Sequence, residues 1–277
     1  MAMNSTIEWT DHTFNPWTGC TNISPGCDNC YAEAWSKRSG HVKWGNNPRK
    51  RTTEAYWKAP HIWQQKAAHF AAQHGRRQRV FCASLADVFD NKADQEWRDD
   101  LFAVIRETPS LDWQLLTKRP QNISKMLPSD WGRSGYSNVW LGFTAEDQLR
   151  FDQRKRFLTD IPAAVWFVSY EPAIGPLRIS ENDPKPDWLI SGGESGHGAR
   201  PMLAQWVRDV VGDCRRFGIA AFHKQWGAAG NNPLVQEQAM PPASVKELDQ
   251  FGKGGGLLDG ELVREFPSSS ARKERAA

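Results

Sequence analysis

The sequence of 277 residues has no long apolar run, and we expect no N-terminal leader. No apolar stretch approaches the roughly 18 residues that a membrane-spanning helix requires, and the first residues lack the basic and apolar regions of a secretory signal. We therefore expect a cytoplasmic protein that does not associate with membranes. In that reducing compartment, clustered cysteines more often bind metals or act in catalysis than form disulfides.

Several catalytic motifs are also absent. The chain contains no GxSxG, no HExxH, no Walker loop and no GxGxxG spacing. Nothing in it therefore indicates a serine hydrolase, a zinc protease, a P-loop enzyme or a dinucleotide-binding domain. A barrel hydrolase that uses Asp87, Glu171 or Glu194 for acid–base work is accordingly the least favoured hypothesis.

The charge of the chain is low. The net charge of +3 is too weak to establish a nucleic-acid partner. Three basic clusters, at residues 49–51, 76–79 and 154–156, could together form a phosphate-binding face. Solvated helix ends and loops are the more frequent explanation of such clusters.

The sequence does contain a series of short apolar segments that alternate with amphipathic ones. Most apolar segments are four to six residues long, which is typical of strands buried on both faces of a parallel sheet. After a first strand near residues 7–14, the predicted strands span residues 79–84, 112–117, 138–143, 165–169, 187–191 and 219–223. Helical periodicity predicts helices over residues 31–38, 60–74, 94–107 and 202–217.

This alternation predicts an α/β fold, namely a partial, TIM-like (β/α) barrel of about six to seven parallel strands. We assign the barrel to residues 1–230. Residues 231–277 are rich in Gly, Pro and Ser, which predicts a loop-rich C-terminal extension with a disordered end.

In a parallel barrel, the loops that follow the strands carry the chemistry. Polar or charged residues follow each predicted strand, and a cysteine-rich segment follows the first. We therefore expect these groups to surround one pocket, with Lys118, Glu171 and Lys224 as candidate catalytic residues. The Gly192-Gly193-Glu194 stretch could let backbone approach a ligand closely, and a plain turn explains it equally well.

Three of the five cysteines lie close together, in the pattern Cys20-x6-Cys27-x2-Cys30. Cys82 and Cys214 lie in a predicted strand and on an apolar helix face, where cysteine acts as a small hydrophobic residue. A structural zinc site needs four ligands. The chain lacks a second CxxC pair, and the nearby His12 and His41 could supply a fourth ligand but do not lie at a standard zinc-site spacing. Three thiolates alone suit a [4Fe–4S] cluster that keeps one iron open for a substrate or cofactor.

Short motifs between residue 7 and about residue 260 make nearly the whole chain resemble a known family. They include Asn15-Pro-Trp-Thr-Gly-Cys20, Ser24-Pro-Gly-Cys-Asp-Asn-Cys-Tyr-Ala-Glu33, Leu115-Leu-Thr-Lys-Arg-Pro120 and Lys224-Gln-Trp-Gly227. A three-cysteine loop after the first strand of a partial barrel resembles the radical S-adenosylmethionine (radical SAM) superfamily. The motifs together resemble a phage-associated, radical-SAM-like "three-Cys-motif" family.

The resemblance implies a [4Fe–4S] cluster on Cys20, Cys27 and Cys30. Its open iron would bind S-adenosylmethionine, and one electron from a donor protein would cleave this cofactor to a 5′-deoxyadenosyl radical that abstracts hydrogen from a substrate. Two features differ from the superfamily pattern. The first cysteine gap is six residues instead of three, and Gly192-Gly193-Glu194 follows a late strand instead of the second.

Strand order also suggests which residues meet this cofactor. Ser84 and Asp87, after the second strand, would lie nearest to it, and Thr144 and Glu146, after the fourth, would meet its ribose. No residue identifies the substrate, but the phage setting and the basic clusters favour a nucleic acid or a nucleotide.

An alternative is a phage-associated nucleic-acid-binding protein with a structural zinc or iron–sulfur loop and no catalysis. It predicts tight, salt-sensitive binding to DNA or RNA that needs neither a reductant nor a cofactor. It leaves the polar groups after every strand without an explanation.

Overall fold

A seven-stranded parallel sheet forms the centre of the fold. The computed structural model describes residues 5–196, 198–248 and 252–268. Each strand pairs with the next along the chain, and the sheet curls into a half-barrel that is open between its first and last strands. The strands are β1 (His12–Thr13), β2 (Gln78–Cys82), β3 (Leu111–Thr117), β4 (Val139–Thr144), β5 (Val165–Tyr170), β6 (Trp188–Gly192) and β7 (Ala220–Gln225). The predicted partial barrel of parallel strands is confirmed.

The strands are buried on both faces, as their continuous apolar character predicts. Every residue of β2, β4, β5 and β6 is buried. Successive side chains alternate between the two sides of the sheet. Trp140 and Trp188 therefore fill the inside of the half-barrel, whereas Trp113 and Trp166 pack in the layer between sheet and helices.

One glycine inside the half-barrel is required by packing. A Cβ atom on Gly142 would lie 2.4 Å from the ring of Phe167 on the neighbouring strand. The absence of a side chain at this position of β4 therefore makes room for the aromatic ring of β5.

Helices cover the outer face of the sheet, and the predicted ones are present. They are α1 (Tyr31–Ser39), α2 (Glu54–Trp57), α3 (Ala59–His74), α4 (Gln95–Glu107), α5 (Ile123–Met126), α6 (Gln148–Arg154), α7 (Phe157–Asp160), α8 (Ala204–Phe217), α9 (Pro233–Gln236) and α10 (Pro242–Leu248). Gly75 and Gly218 end α3 and α8 with left-handed φ angles of 66° and 68°. Glycine adopts this conformation without the steric cost that a Cβ atom brings.

The two ends of the chain close the open side of the half-barrel. Trp9 lies between Phe81 and Trp188, with ring centroids 4.6 and 6.1 Å away. From the other end of the chain, Arg264 forms an antiparallel bridge with Phe222 of β7. Both ends therefore complete the barrel interior.

The segment predicted to be a loop-rich extension contains α9, α10 and a short antiparallel ribbon of Leu257–Leu258 with Glu261–Leu262. The predicted disordered end, beyond residue 268, lies outside the described residues.

None of the described helices combines the length and apolar character needed to cross a bilayer.

Candidate active site

A cavity of about 560 Å³ lies at the carboxyl ends of the strands, where the loops after β1 to β7 meet. Its volume is within the range of sites that enclose small molecules. The predicted site residues that line it are Cys20, Cys27, Cys30, Ser84, Asp87, Lys118, Thr144, Glu171 and Lys224. The expectation that the loops after the strands meet in one pocket therefore agrees with the structure.

The three cysteines lie on one loop at the cavity, which we call the cysteine loop (residues 19–30). Cys27 closes a turn of 3₁₀ helix, Pro25–Cys27, and Cys30 immediately precedes α1. All three are free thiols; Cys27 is buried, and the other two are partly exposed.

The three cysteine thiols are chemically suitable ligands for an iron–sulfur cluster, and all three open onto the same cavity. Among the described residues, no three His, Cys, Asp or Glu side chains converge closely enough to hold a single metal ion. A cluster does not require such convergence, since each cysteine binds a different iron.

Arg119 connects the loop after β3 with the cysteine loop. Its Nη1 donates to Cys20 Sγ at 3.5 Å and to Asp87 Oδ2 at 2.9 Å, and its Nη2 donates to the carbonyl of Thr21 at 2.7 Å. Burial opposes the charge of Arg119, but Asp87 and Cys20 nevertheless raise its pKa. Burial, with a contribution from Asp87, raises the pKa of the Cys20 thiol to about 11.

Asp87 is therefore fully engaged by the protein. Its other oxygen accepts from Thr117 Oγ1 at 2.7 Å and from the backbone of Phe89 at 2.9 Å. The carboxylate lines the cavity, and in this structure it orients Arg119 towards the first cysteine. The predicted contact of Asp87 with a cofactor stays a prediction.

Glu146 lies behind the cysteine loop instead of in the cavity wall. Its Oε1 accepts from the hydroxyl of Ser24 and, at 3.3 Å, from the backbone N–H of Gly26, and its Oε2 accepts from Arg154 at 2.8 Å. Burial would raise the pKa of this fully buried carboxyl, but Arg154, Lys118 and the Ser24 hydroxyl hold it below its usual value. The structure thus uses Glu146 to anchor the loop, and its predicted ribose contact stays a prediction.

Glu194 anchors the same loop through Asn29 and Arg200. Its carboxylate accepts from Arg200 Nη2 at 2.6 Å and from Asn29 Nδ2 at 2.8 Å. Arg200 also donates hydrogen bonds to the carbonyl of Pro25 at 2.7 Å and to Asp28 Oδ2 at 3.1 Å. Burial would raise the pKa of Glu194, but its hydrogen bonds to Arg200 and Asn29 lower it.

The glycine before Glu194 serves a close backbone contact inside the protein. A Cβ atom on Gly193 would lie 2.1 Å from the carbonyl oxygen of Trp226. The Gly-Gly-Glu stretch therefore joins the loops after β6 and β7, which the sequence alone did not indicate.

Glu171 and Lys224 form an ion pair inside the cavity, with Lys224 Nζ 2.5 Å from Glu171 Oε1. Lys118 lines the same cavity, and its ammonium makes neither a hydrogen bond nor an ion pair with the part of the chain that the structure describes. The three predicted catalytic residues thus share one space, as a pair and a free cation.

Ser84 and Thr144 line the cavity and also serve the surrounding loops. The hydroxyl of Ser84 lies 3.1 Å from Asn15 Nδ2, and its carbonyl accepts from the hydroxyl of Tyr31 at 2.8 Å. The carbonyl of Thr144 accepts from Arg154 at 2.5 Å. Their side chains remain the part of this wall that a cofactor could contact.

Sequence reasoning placed Arg119 among the groups at the strand ends but assigned it no role, and it did not identify Arg200 as a site residue. Arg119 lies beside the predicted Lys118, so the Lys-Arg pair after β3 was a usable signal. Arg200 carried no such signal, because its contact with Asp28 spans 172 residues of sequence.

The basic clusters of the sequence are partly neutralised within the fold. Buried Arg49 pairs with Asp90, Arg76 pairs with Asp11 at 2.7 Å, and Arg154 pairs with Glu146 at 2.8 Å. At least one arginine of each cluster therefore stabilises the fold instead of adding to a free phosphate-binding face.

The fold and site together define an α/β half-barrel protein with a three-cysteine loop at the mouth of its cavity. Residues 4–267 match the family described as "Protein of unknown function (DUF5131)", and the chain belongs to this family. Comparisons with curated proteins and with solved structures gave no match.

Proposed function

We propose that the protein is an iron–sulfur enzyme of the radical SAM type, with a [4Fe–4S] cluster on Cys20, Cys27 and Cys30. The cluster would bind and reductively cleave S-adenosylmethionine, and the substrate would be a nucleic acid or a nucleotide. A cytoplasmic location and an electron donor protein are part of the proposal.

The observation that carries the proposal is the anchoring of the cysteine loop from three directions. Arg119 holds the Cys20 end, Glu146 holds Ser24 and Gly26, and Glu194 acts through Arg200 and Asn29. Sites that bind cofactors require their ligands to be held by a second layer of hydrogen bonds. The three anchors keep the cysteines in place beside the cavity, as the ligands of a cluster require.

The surrounding residues have distinct tasks in this proposal. Arg119 donates a hydrogen bond to the sulfur of Cys20, and hydrogen bonds to ligand sulfurs are among the features that set a cluster's reduction potential. Glu171 and Lys224 form the polar wall where a substrate can be oriented and a proton can be exchanged. When bound, the cluster and S-adenosylmethionine would supply the hydrogen-abstracting chemistry.

Anaerobic reconstitution with iron and sulfide tests the proposal. We expect about four irons per chain, and we expect 5′-deoxyadenosine when S-adenosylmethionine and dithionite are added. Cys27→Ala should lose the iron, whereas Cys214→Ala, which alters a buried thiol in the outer core, should keep it. A protein that retains zinc and binds no iron would refute the proposal.

A further inference from the structure

The wall of the cavity contains two aromatic rings that no other ring covers. Tyr31 and Trp44 both line the cavity, and Tyr31 is 57% exposed. Across the described residues, neither ring stacks on another aromatic side chain or lies under a cation. Most other tryptophans of the chain are buried in the core clusters.

Both rings are held in place by hydrogen bonds from their polar ends. The hydroxyl of Tyr31 donates to the carbonyl of Ser84 at 2.8 Å, and the indole N–H of Trp44 donates to Asn22 Oδ1 at 3.3 Å. A ring that is fixed at its polar end and open on its face is prepared to stack on a planar group, since it loses little conformational freedom on binding.

The same cavity has an excess of positive charge. Its acidic residues are all paired: Asp87 with Arg119, Glu171 with Lys224, and Glu194 with Arg200. Lys118 and Lys253 also line the cavity, and neither forms an ion pair with any described residue. Lys118 acts on the buried carboxylate of Glu146 without contacting it, so both ammonium groups are free to contact a ligand that brings negative charge.

From these two features we infer that the cavity mouth binds a nucleotide unit, with the base stacked on Tyr31 and the phosphate near Lys118. A planar base joined to an anionic phosphate matches exposed aromatic faces beside free lysines, which is how proteins hold unpaired nucleotides. This inference rests on the proposed function and gives its substrate a binding site. The nucleotide can be free or part of a single strand.

Calorimetric titration of the full chain, with and without the reconstituted cluster, tests the two contacts separately. The probes are adenosine and guanosine 5′-monophosphates, their thymidine and cytidine counterparts, the matching nucleosides and ribose 5-phosphate. A single-stranded hexanucleotide distinguishes a free nucleotide from a strand as the preferred source.

The two variants should weaken the binding of different sets of probes. Tyr31→Ala should weaken binding of nucleotides and nucleosides about fivefold or more and leave ribose 5-phosphate unaffected. Lys118→Gln should weaken binding of nucleotides and ribose 5-phosphate, should reduce the salt dependence, and should leave nucleosides unaffected. Tyr31→Phe, which keeps the ring, should bind nearly as well as the wild type, and Lys66→Gln on exposed α3 is the matched charge control.

Absence of binding at millimolar nucleotide would overturn the inference, as would equal losses for all probes in both variants. If Tyr31→Ala weakens binding of S-adenosylmethionine alone, the aromatic platform belongs to the cofactor and the inference is wrong. These titrations need no reductant and no turnover. Formation of 5′-deoxyadenosine without nucleotide binding would therefore reject the site and leave the proposed chemistry standing.

Discussion

Arg200 holds the carboxylate of Glu194 with two hydrogen bonds, at 2.6 Å from Nη2 and 3.0 Å from Nε. The same guanidinium reaches the carbonyl of Pro25 in the cysteine loop. A planar fork can satisfy a carboxylate and still present a further donor, which a lysine ammonium cannot do with the same geometry. The pair therefore couples the loop after β6 to the loop that carries the cysteines.

Removal of Arg200 should loosen the cysteine loop. Arg200→Gln leaves the buried carboxylate of Glu194 without its charged partner, so we expect a loss of about 1–3 kcal/mol in the free energy of unfolding. Urea titration measures this loss. Arg215→Gln is the control, because exposed Arg215 contacts Glu261 only at 3.4 Å and should change the stability by less than about 1 kcal/mol. Equal effects of the two variants would contradict the anchoring role.

Gly142 and Gly212 should respond in opposite ways to the same substitution. Gly142→Ala places a methyl group against the ring of Phe167, and overpacking of this kind costs about 1–3 kcal/mol. Gly212 lies in α8, and a Cβ atom there meets nothing within 4 Å. Gly212→Ala should therefore stabilise the protein by roughly 0.5–1 kcal/mol. Thermal unfolding of both variants checks the prediction, and a stabilising Gly142→Ala would show that the barrel interior has spare room.

His223 should make the protein sensitive to mild acid. Burial, with a contribution from Arg264, lowers the pKa of its imidazole to about 3, whereas an unfolded histidine has a pKa of about 6.5. The folded state therefore excludes a proton that the unfolded state accepts. The associated stability is fully present above about pH 6.5 and falls by about 1.4 kcal/mol per pH unit as the pH decreases towards 3.

His223→Gln should remove this part of the pH dependence. The imidazole Nδ1 lies 3.0 Å from Ser191 Oγ, and a glutamine amide offers a neutral partner there. Urea titrations between pH 7 and pH 4 should give a flatter profile for His223→Gln than for the wild type. His69→Gln on the exposed surface of α3 should keep the wild-type slope, and parallel profiles for all three proteins would reject the explanation.

Glu171 and Lys224 should act as a unit. Their ion pair lies in the cavity wall at 2.5 Å, so Glu171→Gln or Lys224→Gln alone should already disrupt the arrangement. We expect each single variant to keep its iron and to lower the rate of 5′-deoxyadenosine formation at least about tenfold, and the double variant to be no slower than either. Losses that multiply in the double variant would show that the two residues act independently.

The order of the strands, and the approximate bounds of all but the first, followed from the sequence because their signal is local. The first strand, expected near residues 7–14, is limited to His12–Thr13. A strand buried on both faces is a short continuous apolar run, and β5 begins at Val165 as predicted. A glycine directly after an amphipathic segment is a local signal of the same kind, because it marks the end of a helix. Gly75 after α3 and Gly218 after α8 are examples. The parallel topology alone predicted that the residues after the strands would line one pocket.

The assignment of roles within the site did not follow from the sequence. Glu146 and Glu194 both come after apolar strands, as a residue that faces a ligand would, yet their carboxylates hold the cysteine loop. Their partners are remote in the chain: 120 residues separate Glu146 from Gly26. Such pairings depend on three-dimensional placement, and no local pattern encodes them.

The closure of the half-barrel by both ends of the chain has a consequence for biosynthesis. Arg264 forms an ion pair with Glu8 at 2.6 Å, across 256 residues of sequence, and the indole N–H of Trp188 donates to the carbonyl of Glu265. The ribosome synthesises Glu8 long before Arg264 and Glu265, so the barrel interior stays open until the chain has been made beyond residue 265. A protein truncated before residue 260 would leave the edge of β7 and the ring of Trp188 uncovered.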